Sequence, residues 1–265
     1  MTGTLNQAVQ ADLIRLLTSA SDWMTRTNAP PPVPAPGSSL AGDDRATGPY
    51  HISHAVFGKL VSAVDHYDAL RTLITEAHAL HARAPFSLLR GALENAATAV
   101  WLLAPCRRDE RILRRLRLQW ADMRDGEKAR ELAGEKASRP LKVRQGELRA
   151  LASARGLSRD QIARVASTPV AYGTIAEQAG DGIGLNGETV RLVWMIASGL
   201  AHARYWAILS TLEREEVRPA TEDILHLRLT APESTILGMT QVAALMIQSG
   251  WALLDRRSTA FEVGT

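Results

Sequence analysis

Apolar residues recur at helical spacing along almost the whole chain. Leu5, Val9, Leu13, Leu16, Leu17 and Trp23 predict an amphipathic helix over Thr4 to Met24. The run from Ala29 to Gly37 carries Pro30, Pro31, Pro32, Pro34 and Pro36, with Ser-Ser-Leu-Ala-Gly-Asp-Asp behind it. It can be neither helix nor central strand. The pattern therefore divides the chain into an N-terminal helical arm (1–28), a stiff then flexible linker (29–49) and a helical domain (50–265).

Within that domain, Val56, Leu60, Val64, Leu70, Leu73, Ile74, Ala77 and Leu80 form one stripe and predict a long helix over Tyr50 to Arg83. Pro85 suits the first turn of the next helix, Phe86 to Leu103. That helix is apolar on nearly every side except at Arg90, Glu94 and Asn95, which predicts a central position. A basic helix follows over Arg107 to Ala133, with Ile112, Leu113, Leu116 and Trp120 inward. Shorter helices are expected at Leu141 to Arg155 and Arg159 to Val165, and Thr168-Pro169 resembles a cap and first turn. After the glycine-rich loop at 180–187, a helix is expected over Glu188 to Leu212. Ile224 to Thr230 alternates with period two and predicts one strand of a hairpin near residues 216–230. Ser234 then caps an apolar helix running to Leu254. The fold class is all-α, a helical bundle with a small β-hairpin.

Composition narrows the setting. The chain of 265 residues is 46% hydrophobic and 22% charged, as expected of an ordinary globular protein. The single Cys106 excludes an internal disulfide and any thiolate metal cluster, and it suits a reducing, cytoplasmic compartment. The first positive charge is Arg15, so the start does not read as a signal peptide. No apolar run approaches the ~20 residues of a membrane span, so no membrane partner is expected. The net charge of +3 is unevenly spread. Arg107 to Arg164 holds 17 Lys/Arg against 9 Asp/Glu, a net of +8 that leaves −5 elsewhere. Such asymmetry suits RNA or another polyanion, or a homodimer in which basic and acidic parts meet.

Candidate chemistry lies in two helices. Ser198 and His202 are four residues apart and share a helix face, with Gly199 between them leaving room for a close approach. Arg191 shares that face but lies about 16 Å along the axis. Arg90 and Glu94, also four apart, sit on the most apolar helix, where a charged pair needs partners. They read either as a clamp fixing helix register or as a site in which Arg90 meets a phosphate or carboxylate. On the basic helix, Arg108, Arg111 and Arg115 form a stripe able to follow a nucleic-acid backbone, unless local acidic residues pair with it. His51/His54 and His78/His81 are spaced three apart, but neither pair has a third ligand at a recognisable spacing. No phosphate loop or dinucleotide fingerprint is present, and no metal or cofactor is expected.

The arrangement Arg90-x-x-x-Glu94 on a central helix, then Ser198-x-x-x-His202 about a hundred residues later, resembles uncharacterised bacterial helical proteins related to the HEPN group. The likeness spans roughly Tyr50 to Leu212. It implies a helical bundle that pairs as a homodimer, and for active members a metal-independent RNA endonuclease of toxin or anti-phage systems. Such members carry an Arg, four to six residues, then a His, with the two copies facing each other. Here Met195, Ile196 and Ala197 occupy the positions where that Arg would stand. The first expectation is accordingly a non-catalytic homodimeric interaction module with a buried polar cluster. The alternative is an RNA endonuclease using His202 for acid/base work and Arg90 on phosphate, with Glu94 and Ser198 positioning them.

Overall fold

The segment that is apolar on nearly every side becomes the hub of the molecule. In the computed structural model, which describes residues 2–167, 169–221 and 224–260, this is α5 (Ala84–Leu103). To name them in chain order, α1 (Thr2–Thr18), α2 (Ala20–Thr27), α3 (Ser39–Thr47) and α4 (Ile52–Arg71) precede it. After it come α6 (Arg108–Leu132), α7 (Leu141–Ala154), α8 (Arg159–Val165), α9 (Tyr172–Gly182), α10 (Gly187–Ala201) and α11 (Tyr205–Thr211). The hairpin β1 (Glu213–Thr221) and β2 (Ile224–Thr230) and the last helix, α12 (Glu233–Ser258), complete the chain. Helices α4, α9, α10 and α12 surround α5, and its residues from Ala96 to Leu103 are all buried. An all-round apolar helix has no face it can leave in water, so it must be enclosed.

A second, smaller core forms where Ile112, Leu113, Leu116 and Trp120 of α6 meet Leu148 and Ala152 of α7 and Val165 of α8. Helix α8 opens with a capping box between Ser158 and Gln161. The hairpin strands are antiparallel, with Glu213 opposite Thr230 and Glu216 opposite Leu227. The expected all-α bundle with a small hairpin is thus the fold.

The N-terminal arm is docked on its own domain. Leu13, Leu17 and Ala20 are buried in the main core, the Tyr67 hydroxyl donates to the Leu16 carbonyl at 3.2 Å, and Arg26 pairs with Asp255 and lies over Trp251. The segment read as linker contains α3, capped by Ser38, whose Oγ accepts from the Ala41 N–H. Its two aspartates reach in opposite directions. Asp43, fully buried, takes the Nε–H of Arg111 at 2.6 Å and that of Arg108 at 3.1 Å. Asp44 accepts from the backbone N–H and the hydroxyl of Ser53 at 3.0 and 2.5 Å, satisfying the start of α4 from outside the helix.

Several boundaries depart from expectation. The N-terminal helix breaks at Ser19 into α1 and α2, and α12 starts at Glu233, so Ser234 lies within its first turn and Pro232 holds the cap position. The helix expected to reach Arg83 ends at Arg71 and passes into a π turn, Thr72–Glu76. Leu70 is its last fully buried position, so packing no longer supports the stripe beyond it. The helix expected to run unbroken to Leu212 splits into α10 and α11, bent by 112°. Thr168, half of the expected cap, lies outside the described residues, and the following helix starts at Tyr172. In addition, α12 is long and apolar enough to cross a membrane by length and composition, with 56% of that window buried inside the bundle.

The Asp43 carboxylate is the test of this assembly. Asp43→Ala leaves the buried Arg111 cation uncompensated and is expected to lower the unfolding free energy by about 3–5 kcal/mol. Arg108→Ala, which removes a half-exposed partner, should cost less than about 1 kcal/mol in the same urea titration. Equal effects of the two substitutions would contradict the burial argument.

Candidate functional site

The polar residues of α5 face the far end of α10. Arg90 and Glu94 lie one turn apart, and the Arg90 Nε–H donates to Glu94 Oε1 at 2.7 Å. The same Glu94 oxygen accepts the indole N–H of Trp194 from α10 at 2.8 Å. The Nη1 of Arg90 then lies 2.8 Å from the Nε2 of His202. A guanidinium can only donate, so in this bond the imidazole accepts on Nε2 and carries its proton on Nδ1. Glu94 is thus the anchor of a four-residue chain, Trp194–Glu94–Arg90–His202, and His202 is its exposed end.

Local backbone geometry puts His202 there. His202 is the C-cap of α10, Ala203 adopts φ 53°, and the Arg204 and Ala203 N–H groups return to the carbonyls of Gly199 and Leu200. This is a Schellman closure with alanine in the left-handed position usually taken by glycine. Gly199 makes the reversal possible, because a Cβ there would meet Ala207 at 2.6 Å and Trp206 at 2.8 Å. His202 therefore does not continue the helical face of Ser198. Ser198 is half-buried, makes no side-chain hydrogen bond among the described residues, and joins only through its carbonyl, which accepts the His202 N–H. Arg191, expected to be remote, pairs instead with Glu177 at 2.9 Å.

Further groups flank the chain. Tyr172 lies within electrostatic reach of Glu94 and Arg90; burial, then the carboxylates of Glu94 and Asp125, push its phenol up, against the opposing Arg90. On the opposite side, His66 of α4 packs directly over Gly91, where any side chain would collide with the ring. Lys59 of α4 donates to Asn95 Oδ1 at 3.1 Å. Trp194 and Tyr172 escaped the sequence reading. The only signal for Trp194 is general: a half-buried indole N–H needs an acceptor, and a carboxylate such as Glu94 can accept more than its Arg90 bond.

The basic stripe does not face outward as a unit. Arg111 is buried and saturated by Asp43 and by the carbonyls of Pro105 and Cys106. Arg108 shares Asp43, and Arg115 donates to the His51 carbonyl and to Gln119. Arg111 and Arg115 lie beside the apolar stripe of α6 and turn inward with it as α6 packs on α3, α7 and α8, while Arg108 stays exposed over Asp43. Among the described residues, no three His, Cys, Asp or Glu side chains gather as a set able to hold a metal ion. No family model, curated protein or solved structure matches this chain.

Glu94→Ala would strip acceptors from both Trp194 and Arg90. Chemical unfolding should show a loss of about 1–3 kcal/mol, with a shift in tryptophan emission. Ser198→Ala should change stability by no more than about 0.5 kcal/mol.

Proposed function

We propose that the protein is a metal-independent RNA endonuclease of HEPN type that works as a homodimer, with His202 as the acid/base group and Arg90 as the phosphate cation. The observation that carries this reading is the 2.8 Å approach of Arg90 to an exposed His202. The cation missing from positions 195–197 of the chain is supplied from α5 instead. Glu94 fixes that cation at its Nε, leaving Nη1 and Nη2 to turn toward an incoming phosphate.

When a phosphodiester takes the Arg90 N–H groups, the Nε2 lone pair of His202 is released toward the substrate. It then accepts the proton of a 2′-hydroxyl as O2′ bonds to phosphorus. The P–O5′ bond breaks, and O5′ takes a proton from water or from a second His202 brought by a second copy of the chain. The products are a 2′,3′-cyclic phosphate and a 5′-hydroxyl end. Arg90 faces the charge that builds on the non-bridging oxygens. Ser198 has no assigned step.

The purified chain is expected to cleave single-stranded RNA in excess EDTA, leaving cyclic phosphate ends. His202→Ala should reduce the rate by about 10²–10⁴-fold and Arg90→Ala by about 10²–10³-fold. Arg90→Lys should rescue little, because an ammonium cannot bond Glu94 and phosphate together as the fork does. Equal degradation by wild type and His202→Ala sinks the proposal.

A non-catalytic homodimeric interaction module is the second reading. Leu192, Met195, Trp206 and Leu209 of α10 and α11 are exposed large apolar side chains on the elements that carry His202. Apolar groups gathered in this way favour protein contact over solvent. On this reading Trp206→Glu converts a dimer to monomer in analytical ultracentrifugation, while RNA is left intact by every variant.

A further inference from the structure

Most arginines of α6 have carboxylate partners: Arg111 with Asp43, Arg114 with Glu110, Arg130 with Glu127. Arg115 is the exception among the inward-facing ones. It lies largely buried, yet donates only to neutral acceptors, the His51 carbonyl at 3.3 Å and Gln119 Oε1 at 2.8 Å. Lys59, across from it on α4, donates only to the amide oxygen of Asn95. Both cations line one cavity of about 580 Å³ between α4 and α6, with Tyr172 also in its lining. Arg130 of α6 and Arg144 of α7 also line it and share Glu127, and the buried Nε–H of Arg130 has no acceptor.

The hollow has a sequence origin. Ala55 and Gly58 on α4 face Ala121 and Gly126 on α6, so small residues leave open space just where the charged ones point in. Burying a cation without an anion costs free energy, and proteins normally match such groups. Burial pushes Lys59 down and pushes Arg115 down to about 10; Glu94 and then Asp122 oppose the first shift, and Asp122 opposes the second, without cancelling them. Arg130 and Arg144 share Glu127, Asp125 pairs with Arg124, and Lys59 and Arg115 face Asp122, so the lining with its ion-pair partners carries an excess of two positive charges. A phosphate dianion carries the charge that would balance it, and a guanidinium beside an ammonium suits its oxygens. Asp125 is taken by Arg124 and Gln119 Oε1 by Arg115, which leaves Asp122 and the Ser62 hydroxyl to bond hydroxyl groups. The volume falls in the range of small-ligand sites, roughly 300–1,000 Å³.

We propose that the cavity between α4 and α6 binds a small phosphorylated polyhydroxy compound of sugar-phosphate size, with Lys59 and Arg115 on the phosphate and Asp122 on its hydroxyls. The cavity adjoins the His202 chain, since Tyr172 lies beside both and Glu94 acts on Lys59, but binding there takes no step from the RNA-cleavage reading.

The test is calorimetric titration of the full chain with ribose 5-phosphate, inorganic phosphate, unphosphorylated ribose and a short single-stranded RNA. Ribose 5-phosphate should bind most tightly, phosphate more weakly, and ribose not at all. Lys59→Met should weaken ribose 5-phosphate at least about tenfold while keeping the wild-type melting temperature within a few degrees, since the ammonium it removes is poorly compensated. Lys59→Arg should retain binding, and Arg115→Gln gives an independent second loss. His202→Ala should bind as wild type does, so failure of the RNA-cleavage reading leaves this result untouched. No binding of either phosphate up to about 10 mM, or equal binding by Lys59→Met, overturns the proposal. So does Lys59-dependent binding of RNA alone, which would make the cavity part of a nucleic-acid path.

Discussion

Two adjacent aspartates hold the two cores together. Asp43 lies under α6 and neutralises Arg111, whose remaining N–H groups grip the carbonyls of Pro105 and Cys106 just past the end of α5. Arg257 of α12 takes the Leu103 and Pro105 carbonyls of the same turn. The C-terminal end of the central helix is thus held by two guanidinium groups, where unsatisfied carbonyls and the helix dipole favour positive charge. Asp44, one residue on, bonds the start of α4. A single turn of α3 therefore sets the positions of α4, α5 and α6 together. Without Asp43 the α6–α8 unit has a buried cation facing a hollow in place of an anion.

That constraint also decides what can meet near the surface. With α5 held at its apolar end, its polar end with Arg90 and Glu94 is presented to α10, and the reversal at Ala203 brings His202 back onto it. The polar chain is graded from inside outward. Trp194 and Glu94 are half-buried, Arg90 spans the boundary, and His202 is exposed. Such a gradient keeps a cation oriented from within while leaving its outer N–H groups free to change partner. The cavity beside α4 follows from the same frame, because α6 is fixed at Arg111 and stands off α4 further along at Gly58 and Gly126.

Much of this was legible from residue patterns. The central place of α5 follows from its lack of a polar face, the hairpin from the alternation at 224–230, and the pairing of Arg90 with Glu94 from their spacing. Other features were not legible, for identifiable reasons. The segment around α3 looked like linker because its prolines and small polar residues resist regular structure, and nothing local reveals that Asp43 and Asp44 have buried partners. The α10–α11 break was hidden because Ala203 carries no turn signal. Its left-handed backbone is imposed by Trp206 and Ala207 packing on Gly199. The basic stripe of α6 could be placed on a face from spacing alone, but which way that face turns depends on α3, α7 and α8, against which α6 packs.

Residue order by itself determined most of the helical segments, α3 excepted, which helix lies deepest, and which polar residues needed explaining, because these depend on the period of apolar side chains and on the cost of burying charge. Only the tertiary structure decided that Arg90 meets His202, that Glu94 also holds Trp194, and that Arg115 and Lys59 share one hollow. Each of those encounters joins residues from helices distant in sequence. Their geometry is set by packing between helices, which spacing within a single helix cannot specify.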